Sequence, residues 1–225
     1  MSRGASMLVH LIAKEFSLEA RSKEIIATMA VFSILLVILF SFAFYTDAER
    51  AQVYAPGILW ITVLFSGTLG LNRLFDKEME AGALESLLLG ASHVRLVFLS
   101  KAIVHFILTM GVVCLTLPTL VLFFRLEVVQ PGLLLASLGL GTLGFSFLGT
   151  LFASTLCYAR MKDVLLPLIV YPLAVPVLVA GVKSSGGILQ ELPVDEVHAW
   201  MLFMVGYDIL FVCASTYLYA PLSKQ

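Results

Sequence analysis

Six apolar runs, at about 25–45, 56–74, 96–124, 132–157, 163–182 and 198–220, constrain this chain more than anything else in it. A helix needs about 20 apolar residues to cross the hydrocarbon of a bilayer. In lipid each backbone N–H and C=O must be paired within its own segment, so runs of this length are restricted to helices. The expected fold class is all-α, a polytopic membrane protein with six transmembrane helices, and 1–225 reads as one membrane domain. Composition agrees, with 60% of the 225 residues apolar and 13% charged. Soluble domains run at about 45–50% and about 25%. A cytosolic enzyme, a nucleic-acid binder and a secreted disulfide scaffold are thereby excluded. The first run is too long for a signal-peptide h-region, lacks a small-residue cleavage site and is followed by further spans.

Net charge says little, with 14 Lys+Arg against 15 Asp+Glu, but the placement of the cations says more. With the N-terminus in the cytoplasm, the inner segments hold eleven: Arg3, Lys14, Arg21, Lys23, Arg73, Lys77, Arg95, Lys101, Arg160, Lys162 and Lys224. The outer segments hold three, Arg50, Arg125 and Lys183. The excess of Lys and Arg on cytoplasmic loops sets orientation, so both termini are expected inside. Arg73 and Lys101 are expected at inner helix ends, snorkelling to the headgroups. Tyr45, Tyr54, Trp60 and Trp200 are expected at the outer interface, and Tyr158, Tyr217 and Tyr219 at the inner one.

Two inner segments are more than loops. Residues 5–24, read as a helix, place Leu8, Leu11, Ile12, Glu15 and Glu19 on one side, with Arg21 and Lys23 following. This predicts an interfacial helix lying on anionic lipid. A compatible reading has Glu15 and Glu19, four residues apart, meeting a protein partner at the membrane surface. The second segment is 73–95, RLFDKEMEAGALESLLLGASHVR, which sets Asp76, Glu78, Glu80 and Glu85 beside Phe75, Met79, Leu84, Leu87 and Leu88. Gly82 is expected to divide it into two short helical pieces. A connection that only joined two spans would be a few residues long. An acidic and apolar segment of this length is suited to docking in a groove of a cytoplasmic partner. The plainer alternative is the solvated face of an interfacial helix.

Within the spans, Ser137/Gly141 and Gly149/Ala153 are small-xxx-small pairs that let helices approach closely. Gly139 to Gly144 spells GxGxxG, but without the strand–turn–helix context of a dinucleotide site. Pro167, Pro172 and Pro176 in one span predict a kinked or broken helix. Ionisable residues inside a membrane are functional suspects, here Lys101, His105 and Asp208. His105 and Asp208 both fall near mid-depth and would face each other if spans three and six touch, as a structural pair or as a relay. Cys114, Cys157 and Cys213 read as small packing residues. No metal site is expected, and no two of His10, His93, His105 and His198 match in depth as haem ligands would. No nucleotide-binding or hydrolase signature occurs.

The string PGILWITVLFSGTLGLNRLF (56–75), the connector ending ALESLLL (83–89), SKAIVHFILT with Lys101 and His105, and DVLLPLIVYPLAVPVLVAG (163–181) together resemble the CcmB family of cytochrome c maturation, a small branch of the type-2 ABC permeases. The resemblance covers essentially the whole chain. It departs at 90–95, GASHVR, where the family often has a proline, and at Asn72, where it often has an acidic residue. The resemblance implies a non-catalytic subunit of the inner membrane. It binds no cofactor itself, and ATP and Mg belong to a separate CcmA-like cytoplasmic ATPase. CcmC-like and CcmD-like membrane subunits, a CcmE-like haem chaperone, a second copy of the chain and haem as pathway cargo complete the expected set. On this resemblance the connector is the cytoplasmic coupling helix between spans two and three, centred on Asp76, Glu80, Gly82, Leu84 and Glu85. Two other readings compete: a type-2 ABC permease for a drug, lipid or polysaccharide, and a proton-coupled carrier using Asp208 and His105.

Overall fold

The computed structural model describes residues 3–44, 48–80, 94–157 and 159–222. Among these, seven helices follow one another and no strand occurs: α1 (Arg3–Ser22), α2 (Glu24–Ala43), α3 (Ala48–Glu80), α4 (Val94–Phe124), α5 (Pro131–Leu156), α6 (Lys162–Leu189) and α7 (Val194–Leu222). Helices α2 to α7 are the six long and apolar enough to cross a membrane, matching the six expected runs. Large apolar side chains point outward along them, including Val31, Leu35, Leu39 and Phe42 on α2 and Leu202, Ile209 and Leu210 on α7. In water such a surface would aggregate; in a bilayer it is the lipid-facing side.

Two helices run past their expected ends. Helix α3 starts at Ala48 and continues beyond the apolar run to Glu80, while α6 continues to Leu189 rather than 182. Lys183 therefore lies exposed within α6 and not in an outer connection. Nor is α6 broken: Pro167, Pro172 and Pro176 lie inside one helix of 28 residues. Pro176 leaves the carbonyl of residue 172 without its helical donor. One residue on, the Tyr207 hydroxyl of α7 donates to the Leu173 carbonyl at 3.0 Å.

Helix α5 is the centre of the bundle and packs on α3, α4, α6 and α7. In α3 and α5, 61% of the membrane window is buried within the chain, against 22% in α2 and 17% in α7. The outermost helices thus give most of their surface to lipid or to other subunits. The sequence 139–144 sits in the middle of α5, where Gly141 and Gly144 make room for side chains of neighbouring helices and no phosphate loop forms.

Helix α1 lies against α4, with Ile12 and Phe16 joining the main core and Val9 and Leu18 exposed. The turn into α2 is made by Lys23, in the left-handed region at φ 53°. A non-glycine residue there costs about 1–3 kcal/mol and needs support from its surroundings. The support is local: Lys23 N–H donates to the Glu19 carbonyl at 2.6 Å, and Ile26 N–H donates to Glu19 Oε1 at 2.9 Å. Glu19 thus satisfies an orphan amide in the first turn of α2.

Candidate functional site

At the end of the bundle where α3 leads on to α4, three elements converge on one ammonium. Lys101 of α4 is only 1% exposed and does not snorkel to the surface as expected. Its Nζ lies 3.6 Å from Glu15 Oε1 of α1 and donates to the Leu74 carbonyl of α3 at 3.5 Å. It also stands 5.0 Å from the centre of the Phe75 ring, a cation–π distance. Glu15 and Glu19 consequently turn inward, one to Lys101 and the other to the first turn of α2, in place of the outward partner contact the sequence suggested. Arg21 is exposed in the last turn of α1, where a cation complements the helix dipole. On the adjacent surface Arg73 pairs with Glu24 at 3.3 Å, joining α3 to the start of α2.

One turn further into the membrane, His105 is fully buried and bonded at both ring nitrogens. Nε2 is 2.9 Å from the Gly67 carbonyl of α3, and Nδ1 is 2.9 Å from Ser146 Oγ of α5. A carbonyl only accepts, so Nε2 carries the hydrogen and Nδ1 accepts from the Ser146 hydroxyl. Bonded at both nitrogens, the ring ties α3, α4 and α5 together. Thr150, one turn further along α5, has a buried hydroxyl with no hydrogen-bond partner among the described residues.

Asp208 does not meet His105. Its carboxyl lies over the backbone of Gly144, where any Cβ would overlap Oδ1, and neither oxygen has a hydrogen-bond partner among the described residues. Gly144 and Ser146, the α5 neighbours of Asp208 and His105, are two residues and so about 200° apart around that helix. Helix α5 stands between the two groups, which is why the expected pair does not form.

In the opposite half of the bundle, Trp60 is 1% exposed and is not an interfacial anchor. Its ring enters a notch between Gly141 of α5 and Gly181 of α6, and its Nε1 donates to Ser185 Oγ at 3.1 Å. Beside it Ser137 and Ser184 bond to each other at 2.6 Å. Gly141 thus admits a ring where close helix contact was expected. Cys114 and Cys213 face outward and only Cys157 is buried.

Of the connector, Asp76 and Glu80 lie on the last turns of α3, which carries the helix beyond the apolar run. Gly82, Leu84 and Glu85 lie outside the described residues, as do His93, Tyr45 and Tyr158. Among the described residues no three of His, Cys, Asp and Glu converge as metal ligands would. The contact of Glu15 with Lys101 goes beyond the sequence reading: a lysine within an apolar run needs an acidic partner, but the sequence does not say which acid supplies it.

Comparison with known proteins places this geometry. The model of the family described as CcmB protein matches residues 6–221. A "Heme exporter protein B" of Pseudomonas aeruginosa is 30% identical over 191 residues, covering 85% of this chain and 86% of that one. Its namesake from Haemophilus influenzae is 32% identical over 200 residues, 89% of each chain. One from Bradyrhizobium diazoefficiens is 28% identical over 158 residues, 70% of this chain and 71% of its own length.

Proposed function

The chain belongs to the CcmB family, and we propose that it is the non-catalytic membrane subunit of an ABC complex for cytochrome c maturation. It sits in the inner membrane with both termini in the cytoplasm. A CcmA-like ATPase, which holds the ATP and Mg, docks on the segment around Asp76, Glu80, Gly82, Leu84 and Glu85. CcmC-like and CcmD-like subunits complete the assembly, and two copies of this chain face two ATPases. Closure of the ATPases displaces the connector, and stiff helices carry that displacement to the outer face, where a CcmE-like chaperone leaves with haem.

The observation that carries this reading is the family match over nearly the whole length, on a chain with six spans. Helix α3 adds to it by continuing past its membrane stretch to Glu80, so that the span and the start of the connector form one rigid rod. The test is a haem-dependent peroxidase stain for covalent c-type cytochromes in a strain lacking this gene. Loss of all bands, restored by the intact gene, is expected; normal bands would remove the cytochrome reading and leave the cargo open. Leu84→Asp and Glu80→Arg should insert normally yet lose co-purification with the ATPase, and intact co-purification of both would overturn the docking assignment.

A further inference from the structure

We propose that Lys101 is a positioning residue for energy coupling: it pins α1, the inner end of α3 and the start of α4 into one moving body, so α1 travels with the connector. The inference rests on the coupling role proposed above and adds an element to it, since nothing in that reading requires the N-terminal helix to take part.

The geometry argues for a pin. Leu74 lies six residues before α3 ends at Glu80, and Lys101 lies seven residues after α4 begins at Val94. Both arms of the connector therefore meet at one ammonium, by the bond from Lys101 Nζ to the Leu74 carbonyl and by the stem of Lys101 itself. The third contact, Glu15 Oε1 at 3.6 Å, comes from α1. Phe75 closes the site, its ring centre 5.0 Å from the ammonium. The Lys101 side chain is 1% exposed and that of Glu15 is 11% exposed. Pulling α1 from α4 would separate two charges in a medium that solvates them poorly, and pulling α3 away would break the bond to Leu74 and the ring contact of Phe75. Exposed ion pairs such as Arg73–Glu24 exchange with water and ions at little cost and cannot do this. Movement of the three elements together is what keeps all of these contacts.

Two measurements test the pin in the full-length protein. In a background with Cys114, Cys157 and Cys213 replaced by Ser, spin labels go at the exposed positions His10 on α1 and Arg95 on α4. The protein with the native pair should give one narrow distance distribution in nanodiscs. The double variant Glu15→Leu/Lys101→Met removes both charges of the pair at once, and Lys14, which also pairs with Glu15, is exposed; it should fold, yet its distribution should broaden at least twofold. An unchanged width would overturn the pin whatever the function of the complex. The second measurement is the cytochrome stain in the null strain. The same double variant should lose at least tenfold in covalent cytochrome at normal membrane abundance, a loss that a merely structural pair, neutrally replaced, would not produce. Glu15→Cys/Lys101→Cys, bridged by a bifunctional thiol reagent, should regain it, because a covalent pin replaces the ionic one. Failure of the bridged protein, or full activity of the neutral pair, would show that α1 is not carried with the connector. If the intact gene itself fails to restore cytochromes, the pathway reading falls and the label distances still decide the pin.

Discussion

Replacing Trp60 with alanine tests whether the glycine notch, and not apolarity, holds α3 against α5 and α6. Trp60 is among the largest fully buried side chains, and its ring fills the space that Cβ atoms at Gly141 and Gly181 would otherwise occupy. In a soluble protein Trp→Ala costs about 3–5 kcal/mol, part transfer and part cavity. In a membrane the separated helices enter lipid, as apolar as the core, so the transfer part falls away and packing remains. At roughly 24 cal/mol per Å³ of residual cavity, a void of about 100 Å³ gives about 2.4 kcal/mol. The lost bond from Nε1 to Ser185 adds about 0.6 kcal/mol on the membrane scale. The expected loss is about 3 kcal/mol.

The decisive comparison is with Gly141→Ala. Its added methyl collides with the Trp60 ring and should cost about 1–3 kcal/mol by overpacking. In the Trp60→Ala background the same methyl enters the void and gains up to about 1 kcal/mol of helix propensity. The two changes should then couple by about 1–3 kcal/mol, measured as unfolding free energies from SDS titration of the purified protein in mixed micelles. Additivity within about 0.5 kcal/mol, the behaviour of independent sites, would refute the notch.

Other substitutions separate packing from chemistry. His105→Leu leaves the buried Ser146 hydroxyl without its ring partner and removes the second bond to the Gly67 carbonyl, and should cost about 1–3 kcal/mol in the same titration. His105→Asn keeps a donor and an acceptor and should retain cytochrome assembly in proportion to membrane abundance; complete loss at normal abundance would restore the relay reading. Arg73→Ala breaks a half-exposed pair and should change stability by less than about 0.5 kcal/mol, with no salt dependence beyond that.

The six spans were legible because lipid leaves a long apolar run one way to satisfy its backbone. Their ends were less so, since hydropathy and helicity stop at different places. Helix α3 outlasts its apolar run because Arg73 to Glu80 consists mostly of good helix formers. Helix α6 outlasts its run through Ser-Ser-Gly-Gly, weak helix formers that are nevertheless buried there by tertiary contact. Pro56 approaches Gly186, and Val197 approaches Gly187. Pair contacts were hidden for a different reason. Glu15 and Lys101 are far apart in sequence, and nothing local records which acid a buried lysine takes. Trp60 was read by its amphipathic character, as an interface residue; its fate was decided by glycines on two other helices.

The distribution of these contacts bears on how motion would cross the bilayer. A displacement at the connector reaches the outer face only if the helices between do not absorb it. Successive levels of this bundle are cross-braced by groups that have few alternative partners in lipid: Lys101 with Glu15 and Leu74, His105 with Gly67 and Ser146, and Trp60 with Ser185. Each brace includes α3, the helix that runs on into the connector. Each acts at a buried site where slippage would leave a polar group unpaired or a void unfilled. Helices α2 and α7 have little of their membrane windows buried in the chain, but they are tied in as well, α2 to α3 by Glu24–Arg73 and α7 to α6 by the Tyr207 hydroxyl on Leu173. The difference is burial: the braces through α3 at Lys101, His105 and Trp60 are shut off from water, so a displacement of α3 would be passed to α4, α5 and α6 rather than taken up at the contact.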